Sequence, residues 1–234
     1  MKKGLTELIF ILDRSGSMSG LESDTIGGFN SLLEKQKNEP GEAKITTVLF
    51  DDQYELLHNH INLESIESIT LKDYFVRGTT ALLDAIGRTI DKIKTEHINT
   101  PDEEKAENVM FIITTDGKEN ASREYRFDKI KSMIEEQKEK HGWNFLFIGA
   151  NIDAIETAGK FGISSDYAMQ YSHNSRGIEM KYEAMDRAVS YVRKSMPIST
   201  DWKEDTGRVK SSLKTNLENI LLTIKGFATD KLYY

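Results

Sequence analysis

At 234 residues, with 38% hydrophobic and 29% charged side chains, the chain has the composition of a folded globular protein long enough to bury a full core. A net charge of −7 disfavours a binder that tracks nucleic-acid phosphates, and the absence of cysteine excludes disulfides, thiolate chemistry and Cys-ligated zinc. The start, MKKGLTELIFILDRSGSM, has an apolar run too short for a signal h-region, and no stretch approaches the roughly 20 apolar residues of a membrane span, so a cytoplasmic protein is expected.

Apolar strand-like runs alternate with helical periodicity, the pattern of a parallel sheet covered on both faces. Leu8 to Asp13 reads as a buried strand. Ile26, Phe29 and Leu33 mark a first helix, and Lys44 to Phe50 a second strand. Asp51, Asp52 and Gln53 then turn the chain, and Tyr54 to Ile61 returns antiparallel as an edge. Leu82, Ala85, Ile86, Ile90 and Ile93 trace the apolar stripe of the next helix, and Asn108 to Thr114 is a central strand rich in β-branched residues. Phe127, Ile130, Met133, Ile134 and Gln137 form a helix face, followed by a buried strand from Trp143 to Gly149. A short helix over Ala154 to Phe161, a short edge strand over Tyr167 to Tyr171 and a helix carrying Ile178, Tyr182, Met185, Val189 and Val192 complete the pattern.

Near Met196 and Pro197 the proline and the polar stretch to Arg208 interrupt this periodicity. The division expected is a domain over residues 1–195 and a C-terminal extension over residues 196–234. In the extension Leu213, Leu217, Ile220, Leu221 and Ile224 share one helical face, which is expected to dock on its own domain because an exposed stripe of that size invites aggregation.

Chemistry concentrates where predicted strands end. Leu8 to Asp13 stops abruptly in Asp13, Arg14, Ser15, Gly16 and Ser17, so that a carboxylate and two hydroxyls at i, i+2 and i+4 converge if the chain turns at Gly16. Such an oxygen set suits a hard cation like Mg²⁺. The segment RGTTA, Arg77 to Ala81, offers Thr79 and Thr80 ahead of the Leu82 helix, where a threonine also serves as a simple N-cap. TTDG, Thr114 to Gly117, places Asp116 on a turn after the central strand. In open parallel sheets ligands bind beyond the carboxyl ends of the strands, so the three segments can build one site. The five histidines show no metal-ligand spacing beyond His58, Asn59 and His60, which read as the solvated face of the edge strand. There is no GxxxxGKS or GKT phosphate loop and no GxGxxG fingerprint.

In this order and at these separations, DRSGS, GTT before a helix and TTDG after a central strand resemble the von Willebrand factor type A domain family, in its bacterial intracellular form, with a metal-ion-dependent adhesion site. The resemblance covers Leu5 to Lys194, and FDDQYEL, Phe50 to Leu56, looks like the hairpin of bacterial members. It implies a Rossmann-like three-layer α/β/α fold, its central sheet mostly parallel with one antiparallel edge strand, and Mg²⁺ or Mn²⁺ at the top. By position, Asp13, Ser15 and Ser17 match the family's DxSxS, Thr80 its metal-binding threonine and Asp116 its distal aspartate, while Thr79 stands where a second glycine is usual. Neutral hydroxyl ligands leave such an ion short of anions and in need of an outside carboxylate. The function implied is a metal-dependent protein-binding adaptor, not an enzyme, capturing a partner's Asp or Glu. Intracellular family members serve in multiprotein assemblies, some with AAA-type ATPases, and neither nucleic acid nor membrane is an expected partner. The alternative is a Mg-dependent phosphohydrolase using Asp13 as nucleophile, as in haloacid-dehalogenase-type enzymes. Those pair the nucleophile with an acidic aspartate two residues on, where this chain has Ser15.

Overall fold

In the computed structural model, which describes residues 1–204, the elements are β1 (Lys2–Asp13), α1 (Glu22–Lys37), β2 (Glu42–Phe50), β3 (Tyr54–Asn62), α2 (Leu82–Asn99), β4 (Ala106–Thr115), α3 (Phe127–His141), β5 (Asn144–Gly149), α4 (Ala154–Lys160), β6 (Ala168–Gln170) and α5 (Ser175–Arg193). The strands form one six-stranded sheet in the order β3-β2-β1-β4-β5-β6. β1 pairs in parallel with β2 and β4, β5 with β4 and β6, and only β3, at the edge, runs antiparallel to its neighbour. This is the mostly parallel, helix-covered sheet that the sequence pattern predicts.

Alternation along β1 sorts the core into two layers. Leu8, Phe10 and Leu12 join a cluster with Phe29, Leu32 and Leu33 of α1 and with Ile178, Met185 and Val189 of α5. Ile9 and Ile11 join Ile86 and Ile90 of α2, Ile130 and Ile134 of α3, and Ala154 and Ala158 of α4. Each large apolar side chain so buried contributes about 1.5–3 kcal/mol, and Phe10 adds an edge-on contact with Phe29 at 5.2 Å. The compact unit runs Met1–Trp202. Trp202 is fully buried, its indole N–H donating to the Asp166 carbonyl at 2.8 Å. The extension's stripe from Leu213 to Ile224 lies outside the described residues, and no described helix is long and apolar enough to cross a membrane.

Two local readings change. β1 begins at Lys2, well before Leu8, because Lys2 N–H bonds the Lys105 carbonyl at 2.7 Å and Gly4 N–H bonds Glu107 Oε2 at 2.7 Å. These are ladder and side-chain bonds that carry no hydrophobic signal. The edge-strand histidines are also not a solvated face. Register shifts on either side of Thr47 break the alternation of β3, and His60, at φ 50°, points its ring inward. Its Nε2 lies 2.7 Å from Glu96 Oε2 and its Nδ1 lies 3.2 Å from Oε1 of the buried Glu7, whose Oε2 meets His97 Nε2 at 2.9 Å.

Strand order reverses at β1, which has β2 on one side and β4 on the other. The carboxyl ends of β1 and β4 therefore flank the crevice where open α/β sheets bind ligands.

Candidate metal centre

β1 ends in Asp13, almost wholly buried, and its carboxylate organises the turn that follows. Ser15 N–H donates to Asp13 Oδ1 at 2.7 Å, while the Thr115 hydroxyl at the end of β4 donates to Oδ2 at 2.6 Å. A short 3-10 turn over Gly16–Met18 then brings Ser17 Oγ to 3.1 Å from Ser15 Oγ. Ser17 donates onward to Asp116 Oδ1 at 2.5 Å, and Thr80 Oγ1 donates to Ser15 Oγ at 3.0 Å. All five residues singled out in the sequence thus meet, with Thr80, Ser15, Ser17 and Asp116 linked oxygen to oxygen and Asp13 holding the base of the loop. Ser15, Thr80 and Asp116 are buried, whereas Ser17 is exposed and opens the group to solvent. Gly117 backs it: a Cβ there would stand 3.0 Å from Ser17 Oγ and 3.1 Å from Thr80 Oγ1, so a larger residue would push both hydroxyls by a few tenths of an ångström.

Thr80 is not spent on capping. The N-cap of α2 is Ala81, and the first helical amides are met by the loop after β4: Leu83 N–H bonds Glu119 Oε2 at 2.9 Å and Asp84 N–H bonds Ser122 Oγ at 3.1 Å. Asn120 Oδ1 accepts Thr80 N–H at 2.9 Å, leaving the hydroxyl free to turn toward Ser15. Thr79, by contrast, is exposed.

Burial pushes both carboxyls above the ordinary aspartate range. For Asp13 it outweighs the bonds from Ser15 and Thr115, and for Asp116 it outweighs the bond from Ser17 and the charges of His173 and Lys181. His173 Nδ1 lies 3.0 Å from Asp116 Oδ2, an ion-pair separation without hydrogen-bond alignment, so that this buried oxygen has no hydrogen-bond donor. Lys181 is completely buried, its ammonium 5.1 Å from the Tyr171 ring and 4.6 Å from the Tyr182 ring. Burial pushes it down to about 8, and the attraction of Asp116 and Asp13 limits the fall.

The donor set is therefore three hydroxyls and two carboxylates, all hard oxygen. Among the described residues no group of three or more His, Cys, Asp and Glu could hold a metal, so a nitrogen- or sulfur-based centre has no counterpart here. Oxygen donors with an orphaned buried carboxylate oxygen fit a hard divalent cation such as Mg²⁺ or Mn²⁺. Sequence reasoning passed over Thr115, Asn120, Glu119, His173 and Lys181. Thr115 lay inside the TTDG segment, read there only for Asp116. The contacts of Asn120 and His173 span 40 and 57 residues (120 − 80 and 173 − 116), and nothing local announces them.

No family model and no curated protein matches the sequence. Solved structures do. A proximal thread matrix protein 1 from the mussel byssus, described with a zinc-occupied MIDAS motif, superposes with a TM-score of 0.54 at 12% identity, over 79% of this chain and 46% of that one. A manganese-loaded TRAP protein of Plasmodium vivax superposes with a TM-score of 0.53 at 18% identity, over 76% of this chain and 72% of that one. This chain thus spans less than half the length of the mussel protein chains it matches. At these identities the likeness is one of fold.

Proposed function

We propose that this chain, whose fold is that of the von Willebrand factor type A domains, is a metal-dependent protein-binding module. The observation that carries the reading is the convergence of Asp13, Ser15, Ser17, Thr80 and Asp116, from three loops, at the switch point of the sheet. These residues would hold Mg²⁺ or Mn²⁺, and the ion, ligated largely by neutral hydroxyls, would supply an electrophilic position for an oxygen anion. The partner in this reading brings an Asp or Glu side chain. A cleft of about 420 Å³ opens beside Gly117, with apolar walls from Leu82, Phe127 and Ile152 and charges of both signs, Lys118 and Lys160 beside Glu119, Asp153 and Glu156, and gives room for the residues that flank that carboxylate. The cellular setting we favour is a cytoplasmic multiprotein assembly, of the kind organised by AAA-type ATPases.

Asp13 argues against the phosphohydrolase alternative. Both of its oxygens already accept hydrogen bonds and it is only 2% exposed, which suits a carboxylate that shapes a loop rather than one presented to a phosphoester. Ser15 stands where such an enzyme needs its acid. The test is affinity capture of partners from host cells in Mg²⁺, Ca²⁺ and EDTA, alongside Thr80→Ala and a generic phosphatase assay. Capture that needs Mg²⁺ and the Thr80 hydroxyl supports the module. Equal capture in all conditions, or phosphatase turnover lost on Asp13→Asn, refutes it.

A further inference from the structure

The turn between β2 and β3 contributes no metal-ligand candidate, yet its Asp51 carboxylate is buried between two arginines. Arg14 sits inside the DRSGS loop, but its side chain points away from the hydroxyls and is completely buried. Its Nη2 donates to Glu55 Oε2 at 2.7 Å, and its Nε lies 3.4 Å from Asp51 Oδ2, an ion-pair distance. The same Asp51 oxygen accepts from Arg77 Nε at 2.5 Å, the residue that opens the Thr80 loop. Asp51 is itself fully buried, and its other oxygen accepts Gln53 N–H at 2.6 Å. Both guanidinium carbons stand 5.3 Å from the centre of the Phe75 ring.

Backbone bonds run through the same point. Arg14 N–H bonds the Phe50 carbonyl at 2.8 Å, Ala81 N–H bonds the Asp51 carbonyl at 2.8 Å, Arg77 N–H bonds the Arg14 carbonyl at 3.0 Å and Gly16 N–H bonds the Gly78 carbonyl at 3.1 Å. Gly78 adopts φ 64°, a conformation that favours glycine, and a Cβ there would fall 3.3 Å from Asp51 Cβ, so this loop lies close against the turn. The loop carrying Asp116 is tied to Ser17 directly. The Ser15 and Thr80 loops are tied directly as well, by the Thr80–Ser15 hydroxyl bond and by the two backbone bonds between them, and in addition share one buried anion on their far side.

We infer that Asp51 is a positioning residue of the metal centre: by pairing with Arg14 and Arg77 at once, it sets the separation between the Ser15 and Thr80 hydroxyls. The inference rests on the metal reading above. Glu55 also faces both arginines, at 2.7 Å from Arg14 and 3.8 Å from Arg77, but it is partly exposed, whereas Asp51 is the fully buried carboxylate between the two cations, and a buried charge left unpaired is costly. That requirement transmits to the loops because Arg14 directly precedes Ser15, and Arg77 stands three residues before Thr80. Groups behind a first ligand set commonly govern metal affinity by 10–100-fold, roughly the range expected here.

The experiment titrates Mn²⁺ into the full chain by electron paramagnetic resonance and calorimetry, as a double-mutant cycle of Asp51→Asn with Thr80→Ala. Asp51→Asn keeps the shape and removes the charge. In the wild-type background it should weaken Mn²⁺ about 10–100-fold. In the Thr80→Ala background it should cost less than about threefold, because a misplaced second loop then has no hydroxyl left to lose. General loosening of the fold would instead give equal losses in both backgrounds, and that outcome overturns the inference, as does a well-folded Asp51→Asn that binds like wild type. Arg77→Gln, which removes only the arm to the Thr80 loop, is the second variant should Asp51→Asn not fold, and the same cycle applies to it. A wild-type chain that binds no Mn²⁺ overturns the metal reading itself, an outcome distinct from the other two.

Discussion

Asp13→Asn should raise the melting temperature of the metal-free protein while removing its response to metal. Asparagine fits the same space: its oxygen accepts from Ser15 N–H, its amide faces Thr115 Oγ1, whose hydrogen turns to the Gly117 carbonyl already 3.2 Å away, and only the long 3.4 Å bond from Asp116 N–H to Oδ2 is given up. Two charge-assisted bonds become neutral ones, a loss of about 2 kcal/mol in all. Against this, a charge that burial holds above the ordinary carboxyl range is no longer confined beside Asp116, and that relief outweighs the loss. The sign follows from proton linkage. With the folded value above the unfolded one, the native state binds more protons between the two, so its stability falls as pH rises through that window and the ionised carboxylate costs stability at pH 7. The net gain is on the order of 1 kcal/mol, or roughly 2–4 °C for a domain of this size. Mn²⁺ at 100 times its dissociation constant should stabilise wild type by about 2.7 kcal/mol and leave the variant where it was. Melting both proteins in EDTA and in Mn²⁺ should therefore show their order inverting. A variant that melts below wild type in EDTA, or that gains as much from Mn²⁺, refutes the reasoning.

Thr80→Ala should weaken Mn²⁺ binding about 10-fold or more, whereas Thr79→Ala, at an exposed position, should bind as wild type does in the same calorimetric titration. Gly117→Ala drives a methyl against Ser17 Oγ and Thr80 Oγ1 and should reduce Mn²⁺ affinity more than it lowers the melting temperature; the reverse order would show that the close approach has no part in the site. Metal binding requires ionised carboxylates, and burial holds Asp13 and Asp116 above the ordinary range. Mn²⁺ affinity should accordingly begin to fall at a higher pH than at a site of surface carboxylates, and a flat profile down to pH 4 would contradict this. Gly28→Ala, whose Cβ would lie 2.1 Å from the Tyr182 ring, should cost about 1–3 kcal/mol in urea unfolding without touching Mn²⁺ affinity.

Much of the architecture was legible because the chain signals it redundantly. The five parallel strands fill with apolar side chains on both faces, and the helices between them carry apolar stripes, so period and length agree. The site segments were legible for a different reason: Asp13, Ser15 and Ser17 crowd oxygen donors onto five residues at the tip of a strand that is otherwise apolar. What escaped is held by pairing across long sequence distances. The start of β1 depends on the Lys105 carbonyl and Glu107, the inward turn of His60 depends on register shifts in β2 and β3, and His173 reaches Asp116 from the loop between β6 and α5, 57 residues further along the chain. Arg14 and Arg77 look like ordinary loop cations in the sequence. Their importance lies in Asp51, which the sequence shows only as one of two aspartates in a turn.

Whether Asp13, Ser15, Ser17, Thr80 and Asp116 form one divalent-cation site is decided by calorimetric titration of Mn²⁺ into wild type and into Asp13→Ala, Ser15→Ala and Asp116→Ala. A single principal site is expected in wild type, strongly weakened in all three variants, each of which still melts cooperatively because its changed residue lies at a strand end or on a loop at the rim of the sheet. Wild-type affinity in all three variants would contradict it.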